Sequence, residues 1–144
     1  MKKILLLFLL LGMITSGVHA QKRIKSSKVA PIVMKDFNVK FPNASKVKWR
    51  KIESLYFASF MQDGKGIDVT YKSTGEWLET LSEISIKDLP AEVATGVNNL
   101  FTNAIIKAAA KVEQSSKETL YIVQLRFKGR KAEMTLDAKG NQVS

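Results

Sequence analysis

Residues 55–79 read LYFASFMQDGKGIDVTYKSTGEWLE, and residues 120–144 read LYIVQLRFKGRKAEMTLDAKGNQVS. Set side by side without a gap, the two stretches share Leu55/Leu120, Tyr56/Tyr121, Gly64/Gly129, Thr70/Thr135 and Gly75/Gly140. Each opens on an apolar run, turns at a glycine, continues with alternating apolar and polar residues, and turns again at a second glycine. Alternation with period two predicts strands whose successive side chains point to opposite faces. Asp63-Gly64 between two such runs is a hairpin signal. A self-match at a fixed offset marks a repeated structural unit.

Upstream of each stretch, a shift of 60 residues aligns Val33/Val93, Phe41/Phe101, Asn43/Asn103, Ala44/Ala104, Lys51/Lys111 and Glu53/Glu113. The five residues by which the offsets differ fall between Glu113 and Leu120, which predicts a longer hairpin loop at Gln114–Lys117. Val29, Ile32, Val33, Phe37 and Phe41 recur at three- and four-residue spacing and predict an amphipathic helix. Pro31 suits its first turn and Pro42 stops it. In the second copy Asp88 is the expected N-cap, Pro90 lies in the first turn, and Val93, Val97, Leu100 and Phe101 form the buried face. Gly96 inside that helix costs about 1 kcal/mol of intrinsic stability, which packing has to offset.

Strands are predicted at Lys46–Ile52, Leu55–Met61, Ile67–Tyr71 and Trp77–Leu81. In the second copy they fall at Lys107–Glu113, Leu120–Phe127 and Lys131–Leu136, followed by a short final strand. The expected fold class is α+β: a tandem repeat of a helix plus a four-stranded antiparallel meander, with the helices packed on one face of the sheet. The expected organisation is a signal peptide at 1–20, a basic N-terminal tail at 21–28, repeat unit 1 at 29–84 and repeat unit 2 at 85–144, the two units forming one domain.

The signal peptide is read from Lys2 and Lys3, the apolar run Ile4–Leu11, and Val18-His19-Ala20 before Gln21. A membrane span needs about 20 apolar residues, and Thr15, Ser16 and Gly17 interrupt the run too early, so no transmembrane segment is expected after cleavage. Removal of Lys2 and Lys3 from 23 basic residues leaves 21 against 13 acidic, a net charge of +8 on the exported part. The single histidine, His19, leaves with the leader, and the chain has no cysteine. Cys–His and Ser–His–Asp nucleophilic sites and the usual zinc, copper and haem sites are thereby excluded. No cofactor is expected. The core has to suffice without disulfides.

Among the carboxylates, Glu76, Glu79 and Glu83 are the group to weigh as a glycosidase-type pair. With no apolar pocket implied around them, they read as surface charge. The face opposite the helices is the better site. If Tyr56, Ala58 and Phe60 pack under the first helix, Phe57, Ser59 and Met61 point the other way, together with Lys48, Arg50, Asp68 and Thr70. Ile122, Gln124 and Arg126 are their equivalents in the second copy. A surface mixing Phe, Met and Arg has the composition of a protein-contact patch. The expected partner-binding residues are Lys48, Arg50, Phe57, Met61, Thr70, Trp77, Ile122 and Arg126. Trp49, sharing a face with Val47, reads as core.

The basic clusters Lys22-Arg23-Lys25-Lys28, Lys46-Lys48-Arg50-Lys51 and Arg126-Lys128-Arg130-Lys131 fit an anionic envelope surface as an alternative partner. Export argues against nucleic acid, although a basic sheet with aromatics otherwise suits it.

With these residues in place, the sequence resembles the PepSY-like, beta-lactamase-inhibitor-like family. The resemblance rests on Phe41-Pro42-Asn43-Ala44, Val47-Lys48-Trp49, the hairpins Tyr56/Gly64 and Tyr121/Gly129, Gly75-Glu76-Trp77-Leu78 and Leu89-Pro90. It implies an exported, non-enzymatic binding module of tandem helix-and-sheet units, engaging a protein partner through an open sheet. It supplies no functional residue. The cystatin-like fold shares the helix and meander, but its Gln-x-Val-x-Gly loop is absent.

Overall fold

Alternation along Leu55–Met61 divides that strand into a helix-facing and a helix-free side, and the register of the strands carries the division across the molecule. The structure, a computed structural model, describes residues 22–143; the signal-peptide assignment at 1–20 lies outside the described residues. The fold is α+β, with one eight-stranded antiparallel sheet in chain order. Its strands are β1 (Arg23–Ile24), β2 (Ser45–Ile52), β3 (Leu55–Gln62), β4 (Lys65–Lys72), β5 (Trp77–Ile84), β6 (Ile105–Gln114), β7 (Thr119–Phe127) and β8 (Arg130–Asp137). Every pairing joins neighbours in sequence, and β5 pairs with β6, so the sheet is continuous through both halves.

Two ten-residue helices, α1 (Pro31–Lys40) and α2 (Ala91–Leu100), cover one face. Pro31 occupies the first turn of α1, where its missing donor costs nothing. Val29, Val33 and Phe37 pack on Trp49, Tyr56, Ala58, Phe60, Val69 and Tyr71. Phe37 lies at the centre of an aromatic group, with ring centroids 4.9 Å from Trp49, 5.2 Å from Phe60 and 5.4 Å from Phe41. Under α2, Val93 and Val97 meet Tyr121, Val123, Leu125, Met134 and Leu136. Each large apolar side chain taken out of water contributes about 1.5–3 kcal/mol, so the two clusters supply most of the driving force.

The hairpins follow local chemistry. Asp63 and Gly64 have φ of 52° and 75°, and Lys128 and Gly129 have φ of 47° and 77°. Two successive positive φ values match the twist of the flanking strands. That conformation favours Gly and Asp, and Lys128 adopts it under the constraint of the paired strands.

Several expectations change. Residues 21–28, expected as a tail, hold β1 and a 3-10 turn at Ser26–Lys28 from Arg23 onward, because Arg23 and Ile24 pair with Arg50 and Trp49. Asp88 closes a second 3-10 turn (Ile86–Asp88) whose N-cap is Ser85, and α2 starts after Pro90. Ile32 and Leu100 are exposed, since Val33/Phe37 and Val93/Val97 hold the inward stripe. The expected last strand is a single bridge, Leu136↔Gln142.

Candidate partner-binding face

The helix-free face is built by cross-strand register. One row runs Arg23, Arg50, Phe57, Thr70, Glu79 and Gln114 across six strands. The next runs Lys48, Ser59, Asp68, Leu81, Val112 and Leu120. Beyond it, Glu83, Ala110, Ile122 and Thr135 align, and Arg126 faces Lys131 nearer the end of β7. Directly opposed side chains touch, so each row is a contact chain.

The face changes character along the sheet. Over β2–β4 it is mixed: Lys48, Arg50, Ser59 and Asp68 lie beside Phe57 and Met61, with Ser59 Oγ donating to the Asp68 carboxylate. Over β5–β7 it is apolar: Leu81, Ala110, Val112 and Ile122 form a buried cluster with Leu120 against it. Glu83 accepts from the backbone N–H of Gly66 at 3.2 Å. A Cβ at residue 66 would stand 3.0 Å from the Glu83 carboxyl carbon, so the glycine makes room for that carboxylate.

Glu79, expected as surface charge, is only 5% exposed. It lies between Thr70 and Gln114, and Gln114 Nε2 donates to its Oε2 at 3.5 Å. Burial raises the carboxyl above its ordinary range, and the Gln114 contact opposes that shift. The three carboxylates considered for hydrolysis have separate partners: Glu76 pairs with Lys72 at 2.6 Å, Glu79 meets Gln114, and Glu83 meets Gly66.

Of the residues expected to bind a partner, Lys48 and Arg126 are exposed, and Arg50 and Met61 are partly so, all on the helix-free face. Phe57, Thr70 and Ile122 share that face but are only 7%, 2% and 8% exposed. Cross-strand neighbours cover them: Arg50 and Thr70 flank Phe57, and Ala110 and Thr135 flank Ile122. Trp77 is on the other side. A register shift between Thr70 and Tyr71 pairs Tyr71 with Trp77 and Thr70 with Glu79. One extra residue moves the ring to the helix face, where it packs on the α1 core. There its Nε1 donates to Thr80 Oγ1 at 3.0 Å, and Lys40 Nζ lies 4.9 Å from the ring centroid.

Leu81, Ala110 and Val112 were missed by sequence reading. Their signal was faint, because Leu81 shares its face with Glu79 and Glu83 at two-residue spacing, so that face read as charged, and the run Ala108–Ala110 marks neither face. Among the described residues no cluster of three metal-type ligands occurs, and no helix is long and apolar enough to cross a membrane.

The geometry has solved counterparts. A BLIP-like protein from Bacteroides fragilis superposes with a TM-score of 0.65 at 23% identity, covering 78% of this chain and 82% of that one. A DUF2874 family protein from Bacteroides ovatus gives 0.69 at 19% identity, covering 79% and 84%. A protein from Bacteroides eggerthii described as "putative periplasmic" gives 0.71 at 17% identity, covering 79% and 85%. These likenesses establish a shared fold. No curated protein matches the chain. The sequence profile of the family described as "Putative beta-lactamase-inhibitor-like, PepSY-like" matches residues 54–143, from the β2–β3 hairpin through the bridge after β8. The chain belongs to the PepSY-like, beta-lactamase-inhibitor-like family.

Proposed function

We propose that this protein is an exported, non-catalytic binding module that takes a protein partner on the helix-free face of its sheet. The observation carrying the proposal is the face itself: a continuous eight-stranded surface, packed firm at its centre around Leu81, Val112 and Ile122, with exposed cations on either side. Lys48 and Arg50 stand towards one end of that surface and Arg126 and Lys131 towards the other. The helices cover the opposite side, so this face is where a large surface can dock. Its cations select a partner carrying acidic side chains. The BLIP-like and periplasmic descriptions of the structural relatives support the same class and compartment.

On this reading residues 1–20 are removed on export, and the two halves are tandem copies. The copying is supported by 3-10 turns beginning at 26 and 86 and helices beginning at 31 and 91. Inhibition of the partner is one outcome of such docking.

The test places a photo-crosslinking amino acid at Lys48 or at Arg126 on the helix-free face, with Lys35 on α1 as control, in cells exporting the protein. A common adduct from the first two positions, absent from the third, is the expected result. Lys48→Glu combined with Arg126→Glu should remove the adduct while leaving the melting temperature unchanged. Equal crosslinking from Lys35 would discard the assignment of the face.

A further inference from the structure

A cleft along the outer edge of β2 borders the helix-free face and shares Lys48 with it, but its ligand does not depend on the function proposed for that face. It encloses about 880 Å³, within the ~300–1,000 Å³ of small-molecule sites. Met34 and Phe41 on the α1 side and Val47 on β2 line its floor, and Arg23, Lys25 and Lys48 line its rim; no carboxylate lines it. The cleft exists because β1 pairs only with Trp49 and Arg50, so no strand flanks the stretch Ser45–Lys48 on that side. A bulge between Ser45 and Lys48, with Lys46 at φ 54°, breaks the regular edge there. Such an edge is a poor template for an added peptide strand. A ligand that needs no strand pairing suits it better.

The corresponding segments of the second half supply the contrast. At the positions of Arg23, Lys25 and Lys48 the second half carries Glu83, Ser85 and Ala108. None of the three cations recurs, and one becomes a carboxylate. These three rim cations are therefore particular to the first half. We propose that this cleft binds a single-chain anionic amphiphile, with the alkyl chain on Met34, Phe41 and Val47 and the carboxylate among Arg23, Lys25 and Lys48.

Calorimetric titration of the protein with dodecanoate, dodecyltrimethylammonium and acetate separates the contributions of head and chain. Dodecanoate should bind at least about tenfold more tightly than the cationic chain, and acetate should not bind measurably. Arg23→Glu combined with Lys25→Glu should lower dodecanoate affinity by about tenfold or more with an unchanged melting temperature. Met34→Trp, which fills the floor, should abolish binding. Amide shift mapping should place the perturbation at Val47 and Phe41. Equal affinity for the two chain types, no binding of dodecanoate, indifference to the charge reversal, or shifts confined to Leu81, Val112 and Ile122 would each overturn the proposal.

Discussion

Asp36 on α1 and Gly96 on α2 stand at the same position in the two halves of the molecule, and Tyr71 and Leu136 stand beneath them. At this point in the first half the contact between helix and sheet is polar. Tyr71 is fully buried, and burial together with the adjacent Asp36 carboxylate raises its hydroxyl well above the ordinary tyrosine range. In the second half the contact is backbone on backbone. A Cβ at Gly96 would lie 2.1 Å from the carbonyl oxygen of Gly140, and one at Gly140, where φ is +83°, would lie 2.1 Å from that of Glu92. The first-half turn glycine, Gly75, meets the side chain of Ile32 instead. One frame thus accepts two ways of docking a helix: a side chain can shift to relieve a clash, whereas a peptide carbonyl in a turn cannot. At this contact the first half has room to adjust and the second has none.

The largest test of this contrast lies on the helix-free face. Phe57 and Ile122 occupy matching positions there, and Phe→Ala in a packed site costs about 3–5 kcal/mol and Ile→Ala about 2–5 kcal/mol. Urea unfolding should show both losses, Phe57→Ala the greater. A loss under about 1 kcal/mol at either position would mean the burial is superficial in that half. The next effect is at the helices. Gly96→Ala should cost about 2–3 kcal/mol, as overpacking against an immovable group does, while Asp36→Ala should cost about 1 kcal/mol or less. Equal costs would erase the distinction between an adaptable and a rigid contact.

Glu79, on the strand that joins the halves, gives a smaller and opposite effect. Its folded-state pKa is raised, so the folded chain holds the proton more tightly than the unfolded chain does. The associated stability is complete below the ordinary glutamate value and is lost as pH rises through the folded value. Glu79→Gln should therefore stabilise by about 1 kcal/mol at pH 7 and by nothing near pH 4, measured by urea unfolding at both. A destabilised variant at pH 7 would show that the charge has a partner that its surroundings do not reveal.

The smallest effect separates the two glycine turns. Lys72 and Glu76 hold the first by an exposed ion pair worth about 0–1 kcal/mol, which salt screens. In the second, Asp137 accepts from the backbone N–H groups of Lys139 and Asn141 at 2.8 and 2.9 Å and from Asn141 Nδ2 at 3.0 Å. The Asn141 hydrogen bonds lead in holding its pKa below the ordinary aspartate range. That contribution is present above the ordinary value and disappears only as pH falls through the lowered one. Amide exchange should show Gly75 loosening in 1 M salt and Gly140 indifferent to it, and Gly140 alone loosening after Asp137→Ala.

Much of this was legible before the structure. Val33/Phe37 and Val93/Val97 announce the two helices, because burial of one stripe leaves a period in the sequence. Asp63-Gly64 announces a hairpin through its own backbone preference. The candidate site was less legible. Trp77 was expected on the open face and lies under α1, because one extra residue in β5 inverts a strand's facing, and a bulge leaves no compositional mark. Glu79 looked like any charged strand residue, and its burial comes from Thr70 and Gln114, far away in the chain.

The sequence alone determined the division of the regular strands β3 and β7 into two faces, the places of the turns, and the absence of cysteine and of any histidine beyond residue 19. Alternation, positive-φ residues and composition are properties of short segments, so they can be read without neighbours. Tertiary structure alone decided that Leu81, Ala110, Val112 and Ile122 gather into one cluster on the uncovered face, that Phe57 and Ile122 are covered, and that Gly96 admits a turn carbonyl. Those outcomes depend on which strands become adjacent and how closely they approach, and contacts between distant segments exist only once the chain has folded.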